Sequence, residues 1–180
     1  MFDQLLARLA RALDDVRIRY MVIGGQAVML YGEPRLTKDI DITLGVSVDS
    51  LAKVLQMARA AGLKPLVDPQ AFTVETMVLP CRDPATTIRV DLVFSQSAYE
   101  DAALGRARTV VTDGHPVRFA SPEDLVIHKV IAGRPRDLED VRSIVDKQPA
   151  LDRRLVEATL REFEAELDEP FLERFRAAST

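Results

Sequence analysis

The stretch Val22-Ile23-Gly24-Gly25-Gln26-Ala27, followed thirteen residues after the glycine pair by Asp39-Ile40-Asp41-Ile42-Thr43-Leu44, decides the fold. A short β-type run, Arg19–Ile23, stops at the two glycines, and Gln26–Tyr31 then reads as a helix closed by Gly32. Lys38–Leu44 is the next strand. Asp39 and Asp41 are two apart on it, so both carboxylates project to one face. Two acids side by side on a strand repel each other unless something positive neutralises them, and a hard divalent cation does so directly. A third acid, Asp91, lies in Arg89-Val90-Asp91-Leu92-Val93, inside a second strand-like run over Ile88–Phe94. Asp39 has an ordinary alternative at a loop end and Asp91 one in a pair with Arg89. Asp41, between Ile40 and Ile42, has none that leaves its charge unpartnered at low cost.

Working outward, Leu5, Leu6, Leu9, Leu13 and Val16 give a helix over Phe2–Val16. Leu51, Val54, Leu55 and Ala58 give another from about Val48 to Ala61, ended by Gly62. Met77–Cys81 and Thr87–Phe94 flank a turn at Arg82-Asp83-Pro84, and Tyr99–Leu104 reads as a short helix. Ala107–Thr112 and Pro116–Phe119 flank Asp113-Gly114, a two-residue hairpin signal. Ser121-Pro122-Glu123-Asp124 supplies a cap, a first-turn proline and early acids, and from there helices are expected near 122–132, 136–147, 151–167 and 170–177. The class is α+β: a mixed sheet flanked by helices over residues 1–120, and a C-terminal helical subdomain over 121–180.

Composition narrows the function. The 180 residues, 47% of them hydrophobic, can bury one full core. A lone cysteine, Cys81, excludes an intrachain disulfide and a thiolate-rich metal site. No apolar stretch reaches membrane length, and the first helix carries Asp3, Asp14 and Asp15, unlike a leader, so a cytoplasmic protein is expected. The net charge of −4 is uneven: Lys+Arg and Asp+Glu balance at 14 each over residues 1–120, but stand at 10 against 14 over 121–180. With the three acids set against a cation, the first part is left mildly positive. That suits an anionic ligand and falls short of the basic stripe of a general nucleic-acid binder.

Gly24-Gly25 lies between strand and helix, where backbone N–H groups and the helix dipole can receive a phosphate, although plain turn chemistry also accounts for a glycine pair. Arg35 can reach a triphosphate from the loop before the acids, or sit in solvent. Lys129 and the helix start Arg134-Pro135-Arg136-Asp137 read two ways: as a solvated start with favourable first-turn acids, or with Lys129 on a phosphate and Arg136 and Asp137 beside the nucleotide. His115 and His128 are isolated and show no metal or triad spacing, and Ser121 reads as a helix cap.

A glycine turn before a helix, Asp-x-Asp on the next strand and a later single Asp resemble the DNA polymerase β-like nucleotidyltransferase superfamily. Gly24-Gly25-Gln26-Ala27, Tyr31-Gly32 and Arg35-x-Thr37-x-Asp39-Ile40-Asp41 are similar to its AbiEii/AbiGii-toxin-type branch, as are Lys129 and Arg136-Asp137-Leu138-Glu139-Asp140. The branch usually shows Arg-x-Lys-Asp where this chain has Arg134-Pro135-Arg136-Asp137. The resemblance implies transfer of a nucleoside monophosphate from an NTP to an acceptor hydroxyl. In such toxins the acceptor is the 3′ end of tRNA and a separate antitoxin protein restrains the enzyme. A protein side chain or small molecule is the alternative acceptor, and a catalytically silent nucleotide-binding module the alternative class. Two magnesium ions, or manganese in their place, fit this chemistry, one held by Asp39, Asp41 and Asp91 and one by Asp39 and Asp41, with Asp91 as general base.

Overall fold

Alternation of apolar and polar residues builds the sheet that carries the acids. The computed structural model describes residues 1–179 and divides into two compact units, one of Met1–Gln26 with Leu36–Ala120, the other of Ala27–Arg35 with the chain from Ser121 onward.

The first unit holds seven strands: β1 (Tyr20–Ile23), β2 (Asp39–Leu44), β3 (Lys64–Pro65), β4 (Val78–Arg82), β5 (Arg89–Phe94), β6 (Arg108–Thr112) and β7 (His115–Phe119). They form one mixed sheet in the order β3-β4-β5-β2-β1-β7-β6. The central pair β2–β5 is parallel, as is β1–β7, and the remaining neighbours are antiparallel. One face is apolar from strand to strand. Val22, Ile42, Leu92 and Leu79 make one row in register and Ile40, Val90 and Cys81 the next, all buried. Each such aliphatic side chain contributes about 1.5–3 kcal/mol when withdrawn from water.

Helix α1 (Phe2–Asp15) buries Leu5, Leu6, Leu9 and Leu13 and lies along β7 and α3 (Leu51–Ala60). Two polar contacts tie α1 to the sheet and its turns: the ion pair of Arg8 with Asp83 at 2.6 Å, and Asp14 Oδ2 with His115 Nε2 at 3.1 Å. On the opposite face, α5 (Ala98–Arg106) places Ala103 and Leu104 over Met21. The β6–β7 turn has Asp113 and Gly114 both at positive φ, the backbone that a two-residue hairpin demands. The helix expected over 48–61 opens as a 3-10 turn at Val48–Ser50. A helix not anticipated, α4 (Pro69–Thr76), follows β3 and is capped by Asp68, which accepts from Ala71 N–H at 2.8 Å.

Helix α2 (Gly24–Tyr31) starts directly at the end of β1. The second unit takes up its later residues with α6 (Pro122–Ala132), α7 (Pro135–Lys147), α8 (Arg153–Leu167) and α9 (Phe171–Ala178). Helix α6 is the hub and touches the other three. It starts on Ser121, whose hydroxyl accepts from Asp124 N–H at 3.1 Å, and ends on Gly133 at φ 62°. Among the described residues no helix is long and apolar enough to cross a membrane.

Candidate active site

Register places the three acids. Asp41 and Asp91 are direct partners across the parallel β2–β5 pair, and Asp39 is the partner of Arg89 one step along the same face. Neighbouring strands lie about 4.8 Å apart, so the carboxylates of Asp41 and Asp91 stand side by side. All three acids are half-buried, whereas Ile40, Ile42, Val90 and Leu92 between them are fully buried on the other face. Ile23 and Pro80 extend the Asp41–Asp91 row and give it apolar shoulders. Thr37 Oγ1 donates to Asp39 Oδ1 at 3.0 Å and fixes that carboxylate at the mouth of β2.

Gly24 is part of the same construction. It sits at φ 64°, and a Cβ there would lie 2.1 Å from Asp41 Oδ2. The absent side chain is the room the Asp41 carboxylate occupies. Turn conformation and close approach both demand glycine, and only the first was legible in the sequence.

The acid face has its own cation, Arg89. Its Nε donates to Asp91 Oδ1 at 2.8 Å. The guanidinium is held firmly charged, first by that hydrogen bond and, against the opposing effect of burial, by the charges of Asp91, Asp39 and Asp41. Among the described residues no three His, Cys, Asp or Glu side chains converge as placed to hold a metal. The donor set nevertheless suits a hard cation, being three carboxylates on one half-exposed face, with Arg89 in the position of the missing positive charge. Cys81 takes no part: burial, with a further push from the charge of Asp91, lifts its thiol to about 12.

In the second unit, Arg35, Lys129 and Asp137 come together around Asp140. Lys129 Nζ lies 2.8 Å from Asp137 Oδ1 and 2.9 Å from Asp140 Oδ2, with only 6% of the residue exposed. Arg35 donates to both oxygens of Asp140, from Nε at 2.7 Å and from Nη2 at 2.8 Å. Arg134 Nε donates to Asp137 Oδ2 at 2.5 Å. Burial alone would raise the Asp137 carboxyl, but the hydrogen bonds from Arg134 and Lys129 outweigh it and hold the group below the usual range. The expected phosphate lysine thus has its ammonium engaged by two carboxylates, while Arg136 is exposed in the first turn of α7. Asp140 is the partner that residue type did not single out for the site; its i,i+3 spacing from Asp137 was the available signal.

A mixed sheet with paired acids on one strand, a third on its parallel neighbour and a glycine turn against them is the framework of a nucleotidyltransferase. The chain belongs to the DUF2204 family, described as nucleotidyl transferases of unknown function, which matches residues 2–177. No curated protein matches it. Among solved structures it resembles an antigenic nucleotidyltransferase-like protein from Paracoccidioides brasiliensis, at 20% identity and a TM-score of 0.59 over 97% of this chain and 92% of that one. The solution structure of the antibiotic-resistance factor ANT(2'')-Ia matches at 18% identity and a TM-score of 0.64, over 92% and 94%. The lincosamide adenylyltransferase LnuA, lincomycin-bound, matches at 16% identity and 0.56, over 78% and 94%. These are likenesses of fold.

Proposed function

We propose that the chain transfers a nucleoside monophosphate from an NTP to a hydroxyl of a small acceptor in a magnesium-dependent reaction. The observation that carries this reading is the in-register pair Asp41–Asp91, with Asp39 on the same half-exposed face and Gly24 making room behind Asp41. Asp39, Asp41 and Asp91 would hold the ion, manganese serving in its place. When bound it supplies charge neutralisation at the triphosphate and acidifies the attacking hydroxyl.

The acceptor oxygen bonds to the α-phosphorus, the bond from that phosphorus to the bridging oxygen breaks, and pyrophosphate leaves. The hydroxyl proton passes to Asp91, which we assign as general base. Gly24 and Gly25 begin α2, so their N–H groups and the helix dipole favour phosphate oxygens. We assign Arg136 to the nucleotide on the resemblance of Arg134-Pro135-Arg136-Asp137 to the toxin-type motif. Arg35, Lys129 and Asp137 are assigned first as positioning residues, because each is engaged within the network around Asp140.

Charge favours a small acceptor over RNA. Residues 121–180 are net acidic, with 14 Asp+Glu against 10 Lys+Arg, which repels a polyanion and suits a neutral or cationic molecule. Two fold neighbours carry hydroxylated antibiotics, adenylyl-2"-tobramycin on ANT(2")-Ia and lincomycin on LnuA. The 3′ end of tRNA, with an antitoxin partner, rests on motif resemblance to the toxin-type branch and is the competing reading.

Incubation with each labelled NTP, magnesium, and either hydroxylated amines and amino sugars or total RNA separates the two. Label in the small-molecule fraction is the expected result. Label on RNA hands the acceptor to the toxin reading, and label on nothing sinks transferase activity for these acceptors. Asp41→Asn must abolish labelling while moving Tm by no more than about 4 °C, the equivalent of roughly 1 kcal/mol in a chain of this size.

A further inference from the structure

Arg89 and a divalent cation want the same oxygens. The guanidinium of Arg89 hydrogen-bonds Asp91 at 2.8 Å, and Arg89 is the register partner of Asp39. Asp91 is anchored mid-strand between the fully buried Val90 and Leu92, so its carboxylate cannot leave the face. The arginine can: its side chain is 51% exposed, against 16% for Asp91. A long side chain half in water can swing outward without disturbing the strand, and an ion pair with one partner so exposed is weakly held. Beyond it on the same face, Arg82 is the cross-strand partner of Arg89 and is exposed, so an outward-turned Arg89 moves toward a second cationic side chain and away from the acids. That arrangement gives a swung-out guanidinium a reason to pair with an incoming anion.

We propose that Arg89 is a positioning residue that closes the acid site as an internal counter-ion, and that a divalent cation loads only by displacing its guanidinium from Asp91. The inference rests on the metal-dependent reading of the Asp39, Asp41 and Asp91 face. The mutual repulsion of the three carboxylates is thereby partly offset in the metal-free protein, at the cost of weakened intrinsic metal affinity. An NTP, which brings both the cation and an anionic partner for the displaced guanidinium, would load the site better than the cation alone.

The test is Mn²⁺ binding without nucleotide, followed by the EPR signal of free Mn²⁺, on wild type, Arg89→Gln and Asp91→Asn. Arg89→Gln should bind Mn²⁺ roughly 2- to 5-fold more tightly, the ratio expected when a weakly held competing cation is removed. Equal or weaker binding by Arg89→Gln overturns the proposal. In wild type, the ¹⁵Nε–H resonance of Arg89 should shift on Mg²⁺ addition, and an unmoved signal at saturation overturns it independently of any variant. If Asp91→Asn binds Mn²⁺ as wild type does, the metal reading of the acid face itself fails, and the displacement idea with it.

Discussion

Gly24 makes the most specific demand on the sequence, because two independent constraints meet at one atom. Its backbone is left-handed at φ 64°, and its missing Cβ would overlap Asp41 Oδ2. Gly24→Ala therefore incurs about 1–2 kcal/mol of backbone strain, and it also pushes the Asp41 carboxylate off the acid face. The expected result is a Tm lower by roughly 2–8 °C together with loss of nucleotidyl transfer. Gly114 supplies the control: it too has positive φ, at 73°, but a Cβ added there would meet nothing within 4 Å. Gly114→Ala should lower Tm comparably and leave transfer intact. Equal activity losses in the two variants would mean that strain, not the Asp41 contact, is what matters at Gly24. At this scale the sequence was legible where chemistry shows as local alternation, in the shared face of Asp39 and Asp41; Asp91 joins them only through the β2–β5 register. That Arg89 stands opposite Asp39 was not legible, because it depends on which distant strands pair and in what register.

Among elements, the α6–α7 pair is held by charge as well as by apolar contact. Lys129 is shared by Asp137 and Asp140, and Arg35 clamps Asp140 from the segment after α2. Removing the ammonium leaves two buried carboxylates underneutralised, which typically costs about 3–5 kcal/mol. Lys129→Ala should accordingly lower Tm by roughly 6–20 °C. An unchanged Tm with impaired NTP use would instead return Lys129 to the triphosphate. The same network, and separately Asp83 in the sheet unit, set an acid limit. Asp137 and Asp83 have carboxyls held below their ordinary values: burial alone would raise both, but hydrogen bonds from Arg134 and Lys129 to Asp137, and from Thr86 and Arg8 to Asp83, prevail. A carboxyl more acidic when folded binds fewer protons in that state, so its contribution is complete above the unfolded value of about 4 and is lost as pH falls through the lowered folded value. The urea midpoint should hold from pH 7 to 5 and fall below pH 4, with a shallower fall in Lys129→Ala. The start of α6 was readable from its cap at Ser121, and the β6–β7 hairpin from Asp113-Gly114. Helix α4 was not read, because Pro69–Thr76 has almost no apolar periodicity and buries only Thr73, although Asp68-Pro69 is a cap followed by a first-turn proline.

For the molecule as a whole, the distribution of charge is what supports the proposed small acceptor. The sheet unit carries the acids and the arginines beside them, while residues 121–180 carry an excess of acid. An RNA acceptor needs phosphate contacts from several lysines and arginines, and affinity built that way falls steeply with salt. Here many of the cations of the second unit already face carboxylates: Arg35 and Lys129 in the buried network, Arg134 at its exposed rim, Lys147 against Glu33 at 2.7 Å and Arg174 against Glu169 at 3.1 Å. A phosphate backbone would have to compete with each of those pairs. Fluorescence anisotropy with labelled tRNA should therefore show no saturable binding at micromolar protein near 0.15 M salt, where the screening length is about 8 Å. Charge-reversal of Glu162 and Glu166 on α8 to lysine should create salt-sensitive RNA binding without altering transfer to a small acceptor. Tight tRNA binding by the unaltered chain at that salt, lost on raising it, would overturn the small-acceptor reading and leave the acid face and its chemistry standing.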